Sequence, residues 1–200
     1  MCGGSIRIQY RYFRVYLESP SPGDAQEIAR IANDYEIAYN VASVGAFPYP
    51  YSIEDARAFI ASANAAALDG AGYHFGIRMS DSGALVGAAG VLAIDRGSGS
   101  CGVGYWLGKE HWGKGYAKEA VTLLAGFSFR VLGVSTVNAD VFGFNARSVS
   151  LLGSVGFVKD ASFRNMKPHY NGYSEELRYS MAKDSFGNMH GDIMRNMAIS

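Results

Sequence analysis

The stretch Gly104-Tyr105-Trp106-Leu107-Gly108-Lys109-Glu110-His111-Trp112-Gly113-Lys114-Gly115-Tyr116-Ala117-Lys118-Glu119-Ala120 decides how this 200-residue chain reads. An apolar strand ends at Leu107, a turn with two glycines follows, and a helix starts at Gly115. Ala117, Ala120, Val121, Leu124 and Val131 recur at helical spacing and carry that helix to residue 131. The first amides of a helix lack partners within it, and its dipole adds positive potential there. Gly113 and Gly115 let the backbone approach a ligand closely, and Lys114 adds a charge. Such a turn suits a phosphate or diphosphate. It is neither a Walker loop, because GxxxxGK[ST] is missing, nor a GxGxxG dinucleotide turn.

Upstream, residues 6–18 read as one strand with a bulge. Ser21, Pro22 and Asp24 form a capped helix start, with Ile28, Ile31 and Ala32 inward, and a short helix is expected over 34–43. The aromatic loop Phe47-Pro48-Tyr49-Pro50-Tyr51 leads to a helix that begins at Ser52-Ile53-Glu54-Asp55 and stops at Asp69-Gly70. Strands follow at 73–79, 85–94 and 102–107. Downstream come a strand at 134–142, a helix from Asn145 to Val155 closed by Gly156, and strands at 157–167 and 175–181. The expectation is one α/β (α+β) domain over residues 1–183, a mixed seven-stranded sheet with helices on its faces. Residues 184–200 lack clear periodicity and read as a C-terminal tail or an added short helix.

Composition excludes several classes. Apolar residues make up 48% of the chain, so a core is available. Lys plus Arg and Asp plus Glu number 18 each, which gives no basic surplus for nucleic acid. The two cysteines, Cys2 and Cys101, make no disulfide framework and point to a reducing cytoplasm. No signal peptide, membrane span or metal-ligand spacing is expected.

The segment WGKGYAKEA after YWLG resembles the acetyl-CoA-binding motif of the GNAT N-acetyltransferases, Q/R-x-x-G-x-G/A, laid on Trp112 to Ala117. Trp112 departs from the usual Gln or Arg. Asn145-Ala146-Arg147-Ser148, followed by Gly156-Phe157, is similar to a segment of the RimJ/RimL subgroup, and residues 47–56 resemble its loop before a helix. The resemblance implies a mostly antiparallel sheet with a splayed central strand pair. It implies that Trp112, Gly113, Lys114, Gly115, Tyr116 and Ala117 hold the diphosphate, and that Tyr105, Trp106, Leu107 and Asn145 hold the pantetheine arm. Ser148 would then lie near the thioester. Asn145 reads equally as a helix N-cap, and Ser148 as a helix-face serine. Many family members place a tyrosine acid in this helix, where this chain has Leu152.

A neutral amine must attack, so a base or water relay is needed; an α-amine, with a pKa of about 8, asks less of it than a lysine at about 10. Asp160 and Glu175 are the candidate bases, and Ser148 or water the proton source for the thiolate. Phe47, Tyr49, Tyr51 and His169 are the candidate acceptor wall, while His74 reads as structural. Direct transfer is favoured over an acyl-enzyme because Cys101 has no evident base beside it. The acceptor expected is a protein or peptide N-terminus, with the chain acting as a monomer or homodimer. A small-molecule amine acceptor and a non-catalytic acyl-CoA-binding module are the alternatives.

Overall fold

The computed structural model describes residues 5–41, 47–170 and 172–200. Cys2 and residues 42 and 43 of the expected second helix lie outside them. The strands are β1 (Arg7–Gln9), β2 (Val15–Glu18), β3 (Tyr73–Met79), β4 (Leu85–Asp95), β5 (Ser100–Leu107), β6 (Thr136–Phe142), β7 (Val158–Lys159), β8 (Asn165–His169), β9 (Gly172–Ala182) and β10 (Ala198–Ile199). The helices are α1 (Ala25–Ala32), α2 (Tyr35–Val41), α3 (Ile53–Asp69), α4 (Tyr116–Phe127), α5 (Ala146–Val155) and α6 (Lys183–Asn196). One sheet runs β10-β1-β2-β3-β4-β5-β6-β9-β7, with β8 also on β9. The β5–β6 pair is parallel and the other pairs are antiparallel.

Among the described residues ten strands stand where seven were expected. Residues 6–18 are a hairpin, because Phe13 N–H closes a turn on the Tyr10 carbonyl at 2.9 Å. Residues 157–167 also divide: the Asp160 carboxylate accepts from Ser162 N–H at 2.9 Å and makes an Asx turn between β7 and β8. The tenth strand lies in the expected tail. Residues 184–196 belong to α6, whose Phe186 is fully buried, and β10 pairs Ile199 with Ile8 on β1. The α6 signal is weak in sequence because Gly187 and Gly191 interrupt it and the helix kinks at His190.

Two cores sandwich the sheet. Helices α1 and α3 cover one face, where Ile28, Ile31, Ile60 and Leu85 meet. Helices α4, α5 and α6 cover the other through Leu123, Leu124, Phe127, Leu152 and Phe186. Local signals set the helix ends: Ser52 and Asp55 make a capping box on α3, and Gly70 stops it in the left-handed region at φ 66°.

Phe186→Ala tests whether α6 belongs to the core. Truncating a fully buried phenylalanine is expected to cost about 3–5 kcal/mol in urea unfolding, whereas a surface tail residue would cost under about 0.5 kcal/mol.

Candidate functional site

Strands β5 and β6 pair only at Ser100–Thr136, Cys101–Val137 and Gly102–Asn138. Beyond Gly102 they part, which realises the expected splay. β5 stays on β4 as far as Leu107, opposite Gly87. A Cβ on Gly87 would fall 2.2 Å from the Trp106 carbonyl oxygen and 2.8 Å from Leu107 Cα, so only glycine lets the end of β5 sit this close to β4. Gly108 N–H donates to the Val86 carbonyl at 2.9 Å. Alternation along an antiparallel ladder therefore turns the Leu107 backbone groups to the open edge. There the Leu107 carbonyl accepts the Trp112 indole N–H at 2.8 Å.

The gap opens into a cleft of about 620 Å³ between α4 and α5. Tyr105, Trp106, Leu107, Trp112, Gly113, Gly115, Tyr116, Ala117, Asn145 and Ser148 all line it. Of the expected phosphate-turn residues Lys114 does not; its side chain is exposed to solvent. Lys118 and Arg147 supply the cleft's basic side chains instead, and the Arg147 guanidinium lies 4.8 Å over the Trp112 ring. Motif reading missed both, since its charge stood at position 114. His111 also lines the cleft; burial holds its imidazole below the usual pKa.

The start of α4 is shaped for an anion. Its N-cap is Gly115 at φ 84°, with no side chain to cap the first amides, and Gly113 sits at φ 74°. A Cβ on Gly113 would meet nothing within 4 Å, so the turn faces open space. The turn is anchored from behind. Glu119 Oε1 accepts from Arg14 Nε and Nη2 at 2.8 and 2.6 Å, and its Oε2 accepts from the Arg14 and Val15 amides at 2.7 and 3.2 Å. These residues fit the diphosphate of a CoA thioester: uncapped amides, two cations and room for close approach.

The pantetheine side is less simple. Asn145 caps α5, with Oδ1 accepting Ser148 N–H at 3.1 Å while Nδ2 donates to the Asn40 carbonyl at 3.1 Å. Tyr105 carries a feature that the sequence reading assigned only to its backbone. Its hydroxyl is buried, without a hydrogen bond of ordinary geometry among the described residues. Burial pushes its pKa up to about 12, an effect that the neighbouring Ser148 hydroxyl opposes.

The candidate bases are not brought to this cleft. Asp160 is committed to its own turn, and hydrogen bonds from Ser162 hold its carboxyl below the usual range. Glu175 is exposed on β9, facing Met166 across β8. The acceptor-wall residues divide. Phe47 and Tyr51 line a second cavity, whereas Tyr49 is half-exposed against Tyr35. His169 is buried, donates from Nε2 to the Tyr39 carbonyl at 2.8 Å, and packs among Tyr39, Phe142, Phe144 and Tyr170. It fastens the β8–β9 hairpin to α2. Leu152, at the place of the family tyrosine, is buried in the core. Among the described residues no group of three His, Cys, Asp or Glu side chains is placed to hold a metal, and no helix is long and apolar enough to cross a membrane.

Known proteins match this arrangement. The chain is 31% identical to the uncharacterized N-acetyltransferase p20 of Bacillus licheniformis over 134 residues, 67% of this chain and 75% of that one. It is 32% identical over 92 residues to the ribosomal protein uS5-alanine N-acetyltransferase of Escherichia coli, spanning 46% of this chain and 47% of that relative. Among solved structures, Mycobacterium smegmatis RimJ in complex with CoA-disulfide superposes with a TM-score of 0.81 at 16% identity, covering 98% of this chain and 97% of that one. Spermidine N-acetyltransferase from Vibrio cholerae, in complex with CoA and spermine, superposes at 0.73 with 21% identity, covering 86% and 98%. The acetyltransferase (GNAT) domain model matches residues 14–158, and the chain belongs to that family.

Proposed function

We propose that this N-acetyltransferase transfers acetyl from acetyl-CoA to the α-amine at a protein or peptide N-terminus, acting directly in a ternary complex in the cytoplasm as a monomer or homodimer. The observation that carries the reading is the gap between β5 and β6, opening beside the uncapped start of α4. Acetyl-CoA supplies an activated acetyl thioester; what remains for the protein is to hold it, orient the amine and manage charge. The free edge of β5 provides backbone partners for an extended arm. The Leu107 N–H, on that edge, is a donor for an oxygen gaining negative charge. Amides at the start of α4, with Lys118 and Arg147, hold phosphate.

Tyr105 takes the part that Leu152 leaves open. A hydroxyl with a pKa near 12 stays protonated at neutral pH, so it is a proton donor and not a base. The Ser148 hydroxyl beside it relays or shares that role. With Asp160 and Glu175 outside the cleft, proton removal from the amine falls to water. An α-amine tolerates this better than a lysine, because a larger share is already neutral at pH 7. The uS5-alanine relative points the same way, while the spermidine relative points to small amines. The second cavity favours the peptide: Asp55 is the one carboxylate that lines it among the described residues, already bound to Ser52, and a polyamine needs several.

Calorimetry with acetyl-CoA, followed by CoA release across a panel of peptides and small amines, tests the assignment. Binding and turnover with peptide termini are expected, and absence of binding would refute it. Gly113→Ala places a methyl in open space at a left-handed φ. The expected loss of stability is only about 1 kcal/mol, yet affinity for acetyl-CoA should fall at least about tenfold. Equal affinity would show that the turn does not hold phosphate. Tyr105→Phe should lower kcat by about 100-fold with little change in acetyl-CoA affinity. Cys101 is buried, and desolvation raises its thiol pKa. Cys101→Ala should therefore keep kcat within about twofold, the change a bystander allows; loss of all turnover would revive an acyl-enzyme.

A further inference from the structure

A second cavity of about 590 Å³ lies on the other side of the sheet from the cofactor cleft. Side chains alternate along β5, so Tyr105 packs with the core under α4 while Trp106 packs with the core under α1 and α3. Both residues border both cavities, so the two spaces meet at β5.

Small residues make the floor. His74, Gly90 and Gly104 stand opposite one another across β3, β4 and β5, with Ala88 in the next row. A Cβ on Gly104 would have only Leu92 Cδ1 nearby, at 3.6 Å, so the space above it is open. Aromatic rings form the walls. Phe47 lies 5.1 Å from Tyr51 and 5.8 Å from Trp106 between ring centroids, and Phe59 stands over the floor from α3. The volume is that of a pocket for a small ligand group.

Besides Tyr51 and Tyr105, two ionisable side chains among the described residues line this space. Asp55 is tied into the cap of α3, its carboxylate accepting from the Ser52 amide and hydroxyl at 2.8 and 2.6 Å. His74 is different. It leans over Gly90, where a Cβ would fall 2.9 Å from Nδ1, and meets Phe59 edge-on at 5.6 Å. It makes no hydrogen bond among the described residues. Burial lowers its pKa, so the ring is neutral at pH 7 and has a nitrogen free to accept.

We propose that this cavity receives the first side chain of the acceptor, of the large apolar or aromatic class, and that His74 accepts a hydrogen bond from the acceptor's amide N–H. The proposal rests on the acetyl-transfer reading. The aromatic walls reward an apolar group and leave a charged one without a partner. The second and third ammonium groups of a polyamine would find no free carboxylate there. An amine held this way arrives at Tyr105 and Trp106, where the two cavities join.

The experiment compares peptides that differ only in an N-terminal Phe, Ala or Asp, together with spermidine. Each is titrated by calorimetry into the protein saturated with CoA, which cannot react, and then assayed with acetyl-CoA. The Phe peptide should bind at least about tenfold tighter than the Asp peptide and spermidine, the discrimination an apolar pocket gives. Gly104→Leu fills the floor, and Ala58→Trp fills the cavity from the exposed side of α3, so a folding failure in the first leaves the second to decide. Each should raise the Phe peptide's Kd and KM about tenfold while acetyl-CoA affinity stays within about twofold. His74→Phe keeps the ring contact but removes the acceptor nitrogen. It should weaken every peptide about fivefold or more, with kcat nearly unchanged, and His74→Asn should restore part of the loss. A preference for spermidine or the Asp peptide, or filled cavities that bind the Phe peptide as before, overturns the proposal. Failure of the unmodified protein to bind acetyl-CoA would instead overturn the acetyl-transfer reading beneath it.

Discussion

The structure turns on the parting of β5 from β6 after three paired residues. A parallel pair buried in the middle of a sheet normally continues, because each unpaired backbone group at that depth needs another partner. Two features relieve the demand here. The missing side chain at Gly87 lets the end of β5 close onto β4, and the Trp112 indole takes the Leu107 carbonyl. On the far side β6 keeps a full ladder with β9 from Thr136 to Phe142. One edge of β5 is thereby left for a ligand at modest expense to the fold.

That edge is useful only if the start of α4 stands beside it. The chain secures the position with Glu119, whose carboxylate binds the Arg14 side chain and two amides at the start of β2. Charge-assisted bonds of this sort are worth more than neutral ones, and three of the four converge on one residue. Arg14 also lies 4.9 Å over the Tyr116 ring, so the first helical residue is gripped too. A glycine N-cap offers no side chain to the first amides of the helix. Here the helix gives up a capping side chain, keeps its amides open, and regains stability from the Glu119 anchor one turn on.

Signals confined to a few residues were legible in the sequence. The Ser52–Asp55 cap, the Gly70 stop, the strand 73–79 and the glycine turn at 113–115 each depend on neighbours in the chain, and each stands where the residues place it. Features that depend on partners distant in sequence were not. The hairpin at Tyr10–Phe13 has neither glycine nor proline to mark it, and α6 shows its purpose only when Phe186 meets the core under α4. At the cleft, the position of the glycine turn was readable and the basic side chains that line it were not. Lys114 carries the motif's charge yet does not line the cleft, while Arg147, thirty-odd residues later, reaches it from α5. Asp160 and Glu175 lie near the right strands but are spent on a turn and on solvent.

The period of two along β5 ties the two cavities together. Tyr105, opposite Ala89, packs with the core under α4, and Trp106, opposite Ala88, packs with the core under α1 and α3. A shift of one residue would exchange them, putting the phenol under α1 and α3 and the indole under α4. The register is held by Gly90 against Gly104 and Gly87 against Leu107, positions where a larger side chain would crowd His74 or the β5 backbone. The glycines of β4 therefore do more than make room: they fix which side of the sheet carries the Tyr105 phenol and which the Trp106 indole. The two cavities then meet at Tyr105 and Trp106, beside the gap that the parting of β5 from β6 leaves.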